Sequence, residues 1–385
     1  MALFLLIALS IYSAVNSYLL WKVHLAFPRM GAWLLLPAGA LVVMVAGPVL
    51  VHLLAHSGFL RAARAFAWVT YPWMAIILWF LVLGLAADLW NLGTRAAGLL
   101  APGAVKLAVG PRIQLYALGA AVAALCLWSL WAARSVRVER LTLRSARLAA
   151  GSPPVRIAQI TDLHMSLLAS SGRLERALRL VEQARPDLVV STGDLIDAPM
   201  PEDGQLEARL AAVRPPLGKF AIFGNHEFYA GVEVSTRFLE ASGFRVLRGE
   251  LAEAGPLRLA GVDDPAARRT GSAQTADEHG LLGGASDRPF TVLLKHQPTV
   301  AEDCAGRFDL QLSGHTHGGQ LFPWGLLTKL VYSRPWGRYQ LERGSVLYVS
   351  RGTGTWGPPM RLLAAPEVTL ITIEPEPPAA AGAVR

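Results

Sequence analysis

Five short motifs, spread over the last 224 residues of a 385-residue chain, collect most of its histidines. They read Asp162-Leu163-His164, Gly193-Asp194, Gly224-Asn225-His226-Glu227, Lys295-His296 and Gly314-His315-Thr316-His317. Nine histidines occur in all, six of them after residue 150, and of those six only His279 falls outside the motifs. Seven Asp, Asn and His side chains placed this way can hold two divalent metals. Imidazole nitrogen and carboxylate oxygen suit Mn, Fe, Zn and similar ions. Two such ions about 3.5–4 Å apart polarise a phosphoryl group from both sides and activate a bridging hydroxide. Such a pair needs a carboxylate between them. Asp194 is the candidate, because Gly193 permits the tight turn that brings it forward. The chemistry expected is metal-dependent hydrolysis of a phosphoester.

The motifs differ in weight. Asp-x-His and Gly-Asp are each common, and Gly-Asp usually marks a turn. Gly-His-Thr-His-Gly-Gly is far more specific, since two histidines at i and i+2 among glycines have little use in a core. The order of all five motifs is what carries the reading.

The last 231 residues repeat one pattern: a short apolar run, a polar motif, an amphipathic segment. Apolar runs predict strands at Val155–Ile160, Leu188–Val190, Phe220–Phe223, Leu257–Val262, Thr291–Leu294, Leu310–Leu312, Val346–Val349 and Val368–Ile373. Leu174, Ala177, Leu178 and Val181 share one face of a helix that Ser171 can cap. A second helix is expected over Val232–Ser242, and Asp263–Arg288 reads as a long loop or a short insertion. Every candidate ligand follows the carboxyl end of an expected strand. In open α/β sheets that edge is where sites assemble, because loops converge there above a rigid sheet.

Ahead of this half lies a different composition. The chain is 53% hydrophobic, too much for one soluble protein. Residues 1–150 carry 12 Lys/Arg and 2 Asp/Glu, whereas residues 151–385 carry 24 and 26. The net charge of +8 therefore belongs to the first part, and nothing in the second part gathers basic residues for nucleic acid. Four apolar stretches, Ala2–Trp21, Trp33–Ala55, Trp68–Trp90 and Ile113–Ala133, reach the roughly 20 residues that a bilayer requires. Trp and Tyr mark several of their ends. The first stretch has no basic leader and no cleavage signature, so it reads as a retained span. Of the polar residues in the spans, His52 and Asp88 lie near span ends, at headgroup level. Two cysteines, Cys126 and Cys304, are too few for a thiolate metal site.

This divides the chain into a four-span transmembrane region at 1–133, a basic connector at 134–154, a catalytic domain at 155–373 and a disordered Pro/Ala tail at 374–385. Within the connector, Val136, Val138, Leu141 and Leu143 alternate with Arg, as in an edge strand or a segment lying on headgroups. With four spans, seven Arg residues (Arg61, Arg64 and five after the last span) share the catalytic domain's side, against the five loop charges Lys22, Arg29, Arg95, Lys106 and Arg112 opposite. The positive-inside rule then puts that domain in the cytoplasm.

The motif set resembles the calcineurin-like metallophosphoesterase superfamily, over about residues 155–373. The run Leu312-Ser313-Gly314-His315-Thr316-His317-Gly318-Gly319-Gln320, with Tyr348-Val349-Ser350-Arg351-Gly352 later, is most similar to its bacterial membrane-associated branch. The resemblance implies an α/β fold of four layers, two packed β-sheets flanked by helices, here preceded by the transmembrane region. It implies Asp162, His164 and His317 on a first metal, Asn225, His296 and His315 on a second, and Asp194 bridging both. It implies that His226 acts on the phosphate, stabilising charge or protonating the leaving oxygen, with an acidic partner such as Glu227 or Asp197. Many relatives place x-Gly after Asp-x-His, whereas this chain has Met165-Ser166.

Two features lie outside the motifs. Arg351 follows a strand and reads either as a phosphate contact or as a packing arginine. The stretch Leu321–Leu327, with Val331, Tyr332, Trp336 and the loop Trp356–Met360, is apolar for its place beside a metal motif. It reads as a wall touching lipid or an acyl chain, or as ordinary core packing. The function expected is a multi-pass phosphoesterase of the bacterial inner membrane, acting on a phospholipid or lipid-linked headgroup by attack of a metal-bridging hydroxide. The alternatives are the same chemistry on a soluble nucleotide-like substrate and a catalytically silent membrane scaffold.

Overall fold

Four long helices occupy the first 132 residues: α1 (Ala2–Ala26), α2 (Leu35–His56), α3 (Leu60–Ala97) and α4 (Pro111–Ala132). The computed structural model describes residues 2–168, 171–197, 204–272, 278–283 and 288–377. All four helices are long and apolar enough to cross a membrane. The helices extend past the apolar runs, most in α3, because Arg61, Arg64 and Arg95 continue the helical backbone into polar surroundings at good propensity. Small residues bring these helices close. A Cβ on Gly84 of α3 would lie 2.7 Å from the Tyr18 hydroxyl of α1, the close approach that small residues permit between membrane helices.

Lys22, counted in the sequence as a loop charge, lies within α1 and is buried. Its ammonium pairs with Asp88 of α3 and donates to Gln114 Oε1 of α4 at 2.9 Å. Tyr18 donates its hydroxyl to Asp88 Oδ2 at 2.6 Å. Asp88 is thus a structural tie inside the helical unit.

The second unit, Ala132–Trp356 with Arg361–Arg385, carries two six-stranded sheets. In chain order its elements are β1 (Arg137–Ser145), β2 (Val155–Ile160), α5 (Ser171–Ala184), β3 (Leu188–Ser191), α6 (Gln205–Ala211), β4 (Lys219–Ala221), α7 (Asn225–Ala230), α8 (Val232–Ala241), β5 (Arg245–Val246), β6 (Glu250–Ala254) and β7 (Leu257–Gly261). There follow α9 (Ala266–Arg269), α10 (Glu278–Leu282), β8 (Phe290–Leu294), β9 (Leu310–Ser313), α11 (Trp324–Val331), β10 (Gly337–Gln340), β11 (Val346–Val349) and β12 (Glu367–Pro375). The first sheet runs β1-β12-β2-β3-β4-β5 and the second β10-β11-β9-β8-β7-β6.

The sheets pack face to face. Ile157, Val190 and Phe220 from the first and Leu259, Val292 and Leu312 from the second share one buried cluster. Each such side chain is worth about 1.5–3 kcal/mol of burial. The outer face of the first sheet is covered by α5 and α8 through Leu174, Leu178, Val181, Phe238 and Leu239. A separate cluster with Phe308 and Cys304 covers the outer face of the second. This is the four-layer α/β sandwich expected from the resemblance. Its central strands read as continuous apolar runs because both faces are buried.

The basic segment before the core supplies β1, which pairs in parallel with β12 from Arg137↔Glu367 to Ser145↔Pro375. The long loop read at 263–288 contains α9 and α10, while 273–277 and 284–287 lie outside the described residues. The first residues of the Pro/Ala tail finish β12, and 378–385 lie outside the described residues.

For the site, one fact matters most. β2, β3 and β4 are parallel neighbours in the first sheet, and β8 and β9 are parallel neighbours in the second. Asp162, Asp194, Asn225, His296 and His315 each follow the carboxyl end of one of these five strands. Both sheets therefore deliver their polar loops to the same edge.

Candidate metal centre

The loops at that edge are unusually constrained. Nine non-glycine residues have positive φ among the described residues, and five of them are Asp162, His164, Asp194, His315 and His317. The left-handed region is unfavourable for side chains with a Cβ, and such strain collects at functional sites when the surroundings enforce it. Glycines make the enforcement possible. A Cβ on Gly224 would lie 2.2 Å from Asp194 Oδ1, and one on Gly314 would lie 2.2 Å from Asp162 Oδ2.

Backbone hydrogen bonds set the two carboxylates. Asp162 accepts the His315 N–H at 2.9 Å and Asp194 accepts the His226 N–H at 2.9 Å, each linking two separate motifs. Glu227 is fully buried and links the same loops from below. Its carboxylate accepts the N–H groups of Asp194 at 2.8 Å, Leu195 at 2.7 Å and Gly224 at 2.8 Å. Burial and the Asp194 charge push its pKa up to about 7, and these donors pull the other way.

The donor atoms converge in overlapping groups. Asp162, His164 and His317 form one, Asp194, His296 and His315 a second, and His164, Asp194 and His226 a third, with all donor atoms of each group within 4.8 Å. His164 Nε2 and His317 Nε2 face each other at 2.9 Å, and His296 Nε2 and His315 Nδ1 at 3.1 Å. Asp194 Oδ2 lies 3.1 Å from His296 Nε2 and 3.8 Å from His164 Nε2, between the two pairs. Outer partners set the tautomers. His296 Nδ1 faces the Thr192 carbonyl at 2.7 Å and His164 Nδ1 faces Asp197 at 2.9 Å, so the Nδ1 atoms carry protons and the Nε2 lone pairs point inward.

Asn225 adds a further signal. Its Oδ1 is buried and has no hydrogen-bond partner. A buried carbonyl oxygen left without a donor costs about 1–3 kcal/mol, and a cation would satisfy it. Inward lone pairs, two buried carboxylates and this orphaned oxygen make a donor set that fits divalent metal and has no comparable use in an apolar core.

Electrostatics agree for several of these donors but not for His296: burial lowers its imidazole pKa, but the Asp194 and Asp162 carboxylates outweigh it and raise it well above its ordinary value. Burial raises the Asp194 carboxyl, but the His296, His226 and His164 imidazoles outweigh it and hold it well below the usual range. Burial and the neighbouring imidazoles push His315 down to about 3, and burial with the His164 and Arg361 charges lowers His317 as well, so both stay neutral as ligands require. His226 behaves oppositely. Burial lowers its pKa, but the Asp197 hydrogen bond and the Asp194 charge win and push it up to about 9.

The sequence profile of calcineurin-like phosphoesterases matches residues 155–319. An uncharacterized metallophosphoesterase of Aquifex aeolicus (strain VF5) is 41% identical over 241 residues, which is 62% of this chain and 92% of that protein. The chain belongs to the calcineurin-like phosphoesterase family. The metallophosphoesterase YkuE of Bacillus subtilis (strain 168) is 33% identical over 245 residues, 60% of this chain and 84% of that protein. A transmembrane protein with metallophosphoesterase domain from Danio rerio is 32% identical over 232 residues, 57% of this chain and about half, 53%, of that protein. The chain is accordingly a metal-dependent phosphoester hydrolase and a membrane protein.

Within the metallophosphoesterase domain the structure brings Asp162, His164, Asp194, His226, His296, His315 and His317 together and places Asn225 beside His226 in the first turn of α7. Of the two acids weighed for His226, Asp197 is the one in contact, with Oδ1 2.5 Å from His226 Nδ1. Glu227 instead holds backbone. Met165-Ser166, the departure from the family pattern, is anchored through a backbone bridge from Met165 to Ile196. Arg351 is ion-paired, with Nη1 3.3 Å from Glu139 and 3.4 Å from Glu367. His279 lies 2.6 Å from Arg307 Nη2, away from the donor set.

Arg361 was not legible. It is fully buried, donates to the His317 carbonyl at 2.8 Å, and places Nη2 3.2 Å from His317 Nδ1. It also donates to the carbonyls of Arg351 at 2.7 Å and Gly354 at 2.6 Å. No motif surrounds it, and only its position next to apolar residues sets it apart in sequence. Aromatic rings stand around the donor set as well: Tyr229 and Trp356 lie 5.5 and 6.0 Å from the His226 ring, and Tyr332 lies 5.6 Å from that of His315.

Proposed function

We propose that this domain cleaves a phosphoester or phosphodiester of a lipid-linked substrate at a dinuclear metal centre, on the cytoplasmic face of a bacterial inner membrane. The observation that carries the dinuclear reading is the position of the Asp194 carboxylate between two inward-facing imidazole pairs. Asp162, His164 and His317 would hold one ion, and Asn225, His296 and His315 the other, with Asp194 shared. The ions would supply Lewis-acid polarisation of the phosphoryl group and acidify a water between them.

The remaining work falls to side chains of the chain. With Nδ1 bound to Asp197, His226 keeps Nε2 for the substrate and is cationic at neutral pH. It stabilises charge on the phosphoryl oxygens and passes a proton to the leaving oxygen. Asp197 fixes the ring and its charge, and Glu227 fixes the backbone from which Asp194 and Asn225 project. Tyr229 and Trp356, each 57% exposed and flanking His226, favour a substrate with an apolar portion.

The test is turnover of bis-p-nitrophenyl phosphate by the purified full chain with Mn. Loss of activity in Asp194→Asn, with a smaller loss in His226→Gln because the p-nitrophenolate leaving group needs no proton, is the expected result. Activity indifferent to both substitutions would remove the proposal. The lipid part is read separately with Trp324→Ala and Leu326→Ala. Both should keep turnover of the small ester and lose turnover of a lipid-linked phosphoester in vesicles. Equal retention on both substrates would reject the lipid-linked substrate.

A further inference from the structure

Eleven large apolar side chains of the second unit are exposed among its described residues, and eight of them lie in just three short segments. These are Phe322, Trp324, Leu326, Leu327, Leu330 and Val331 in and before α11, with Trp356 and Leu363. α11 itself contains no buried residue, and Leu330 is 83% exposed. It is therefore no core helix, whatever its hydropathy suggests.

The segments form one surface. Phe322 donates its N–H to the Leu362 carbonyl at 3.2 Å, and Leu362 donates to the Gln320 carbonyl at 2.9 Å. The Gln320 side chain accepts the Trp356 N–H at 2.9 Å and donates to the Trp356 carbonyl at 2.8 Å. Exposing so much apolar surface to water is unfavourable in proportion to its area, and a patch of this kind marks an interaction site.

We infer that α11, with Phe322, Trp356 and Leu363, inserts its apolar side into a lipid bilayer beside the metal cluster. Three observations select lipid over a protein partner. First, from residue 310 to 341 the chain has no Asp or Glu and carries Lys329 and Arg338, the charge sign that anionic headgroups attract, along with Arg334, which pairs with Glu302 at 3.1 Å. Second, Trp and Leu lie on the apolar side while Lys329 sits over the Trp336 ring at 5.0 Å, the composition of an interfacial helix. Third, only residues 133–136 separate the last membrane-crossing helix from β1, so a bilayer is always within reach of this domain.

The insertion bears on the site because α11 is bound to the ligand loop at both ends. At its start, a Cβ on Gly319 would lie 2.2 Å from Gly325 Cα, so loop and helix are in backbone contact. Beyond its end, Tyr332 packs on His315, and Thr316 Oγ1 donates to the Pro335 carbonyl at 2.5 Å. Lipid that holds α11 holds the loop carrying His315 and His317. The inserted side chains also set the height at which a phosphate must leave the membrane to reach the metals.

The experiment reads depth and uses no turnover, so its failure is distinct from failure of the catalytic proposal. A nitroxide is attached at Leu330→Cys, and separately at Val331→Cys, in the full chain carrying Cys126→Ala and Cys304→Ala. The protein is reconstituted in phosphatidylethanolamine/phosphatidylglycerol vesicles, and collisions with oxygen and with a water-soluble nickel chelate are compared. The control label is at Arg237→Cys, an exposed site on α8. Insertion predicts that both probes are relaxed by oxygen in preference to the chelate, at a depth of about 5–10 Å into the headgroup and acyl boundary, while the control shows the reverse. Chelate access equal to that of the control overturns the inference. So does exclusion of both reagents together, which would mean that protein and not lipid covers the helix.

Discussion

Asp197 Oδ1 lies 2.5 Å from His226 Nδ1 and 2.9 Å from His164 Nδ1, so one carboxylate oxygen serves both the residue proposed to act on substrate and a residue proposed to hold metal. The two imidazoles meet edge to face at 4.7 Å. Burial raises the Asp197 pKa, but the two histidines outweigh it and keep the group ionised. Protonation of His226 and orientation of His164 are therefore tied to the same atom.

This sharing gives a two-part expectation. With saturating Mn, His226→Gln should lower kcat on an alkyl phosphoester by about 10²–10⁴. It should matter far less on a p-nitrophenyl ester, whose leaving group needs no proton. Asp197→Asn should show the same dependence on the leaving group and should also require about 10–100-fold more Mn for half-maximal activity. Steady-state kinetics on the two esters across Mn concentrations checks this. An Asp197→Asn enzyme with unchanged Mn requirement would break the link.

Asp194 should behave differently, because it lies between the imidazole pairs. On the proposed dinuclear reading, Asp194→Asn should reduce bound metal from two ions per chain to at most one, measured by elemental analysis after gel filtration. Stability should follow occupancy. Ligand at about 100 times its dissociation constant stabilises the folded state by about 2.7 kcal/mol, so a chelator should lower Tm of the native chain. The same chelator should lower Tm of Asp194→Asn much less, since less metal is there to remove. Equal shifts in both proteins would show that Asp194 does not govern occupancy.

Glu227 offers a structural contrast to Asp197. Its two oxygens accept backbone N–H groups from Asp194, Leu195 and Gly224. Glu227→Gln turns one acceptor into a donor that faces N–H groups, and each unsatisfied buried group costs about 1–3 kcal/mol. The expected outcome is a lower Tm for the soluble-domain transition and weaker metal binding, without the leaving-group dependence of the His226 variant. Calorimetry together with the two-ester assay separates these effects. A leaving-group dependence in Glu227→Gln would move this residue into the proton-transfer step.

What the sequence made legible, and what it hid, follows from the range of the forces involved. The donors were legible because each sits at the end of a short apolar strand, and strand, glycine and ligand are neighbours in the chain. Asp197 and Glu227 could be named as alternatives for His226 but not separated. Which acid meets the imidazole depends on the turn after β3 packing against α7, a contact between residues about thirty positions apart. Arg361 was invisible because its backbone acceptors are carbonyls of two loops far apart in the chain, and carbonyls leave no trace in residue type. By composition the α11 stretch read equally as a wall facing lipid or as core. Only its exposed place beyond the second sheet's ligand loop shows that its apolar residues have no core to join. In the first unit, hydropathy found the four long apolar helices but could not pair Lys22 with Asp88, since nothing local joins residues in different helices.

That pair allows a final test. Lys22 is almost fully buried, Asp88 is 32% exposed at its side chain, and Gln114 and Tyr18 complete the cluster. Removing one member of a buried ion pair leaves the other charge uncompensated, at a cost of about 3–5 kcal/mol for full burial. The partial exposure of Asp88 lowers the expectation for Lys22→Met to about 2–3 kcal/mol on the same basis. Removing both charges in Lys22→Met/Asp88→Leu should restore most of that loss, because the desolvation of both ions disappears with them. Denaturation of the chain in lipid micelles, followed by helical circular dichroism, measures the difference. If the double variant is as unstable as the single one, the tie between α1 and α3 contributes through packing and hydrogen bonds and not through charge.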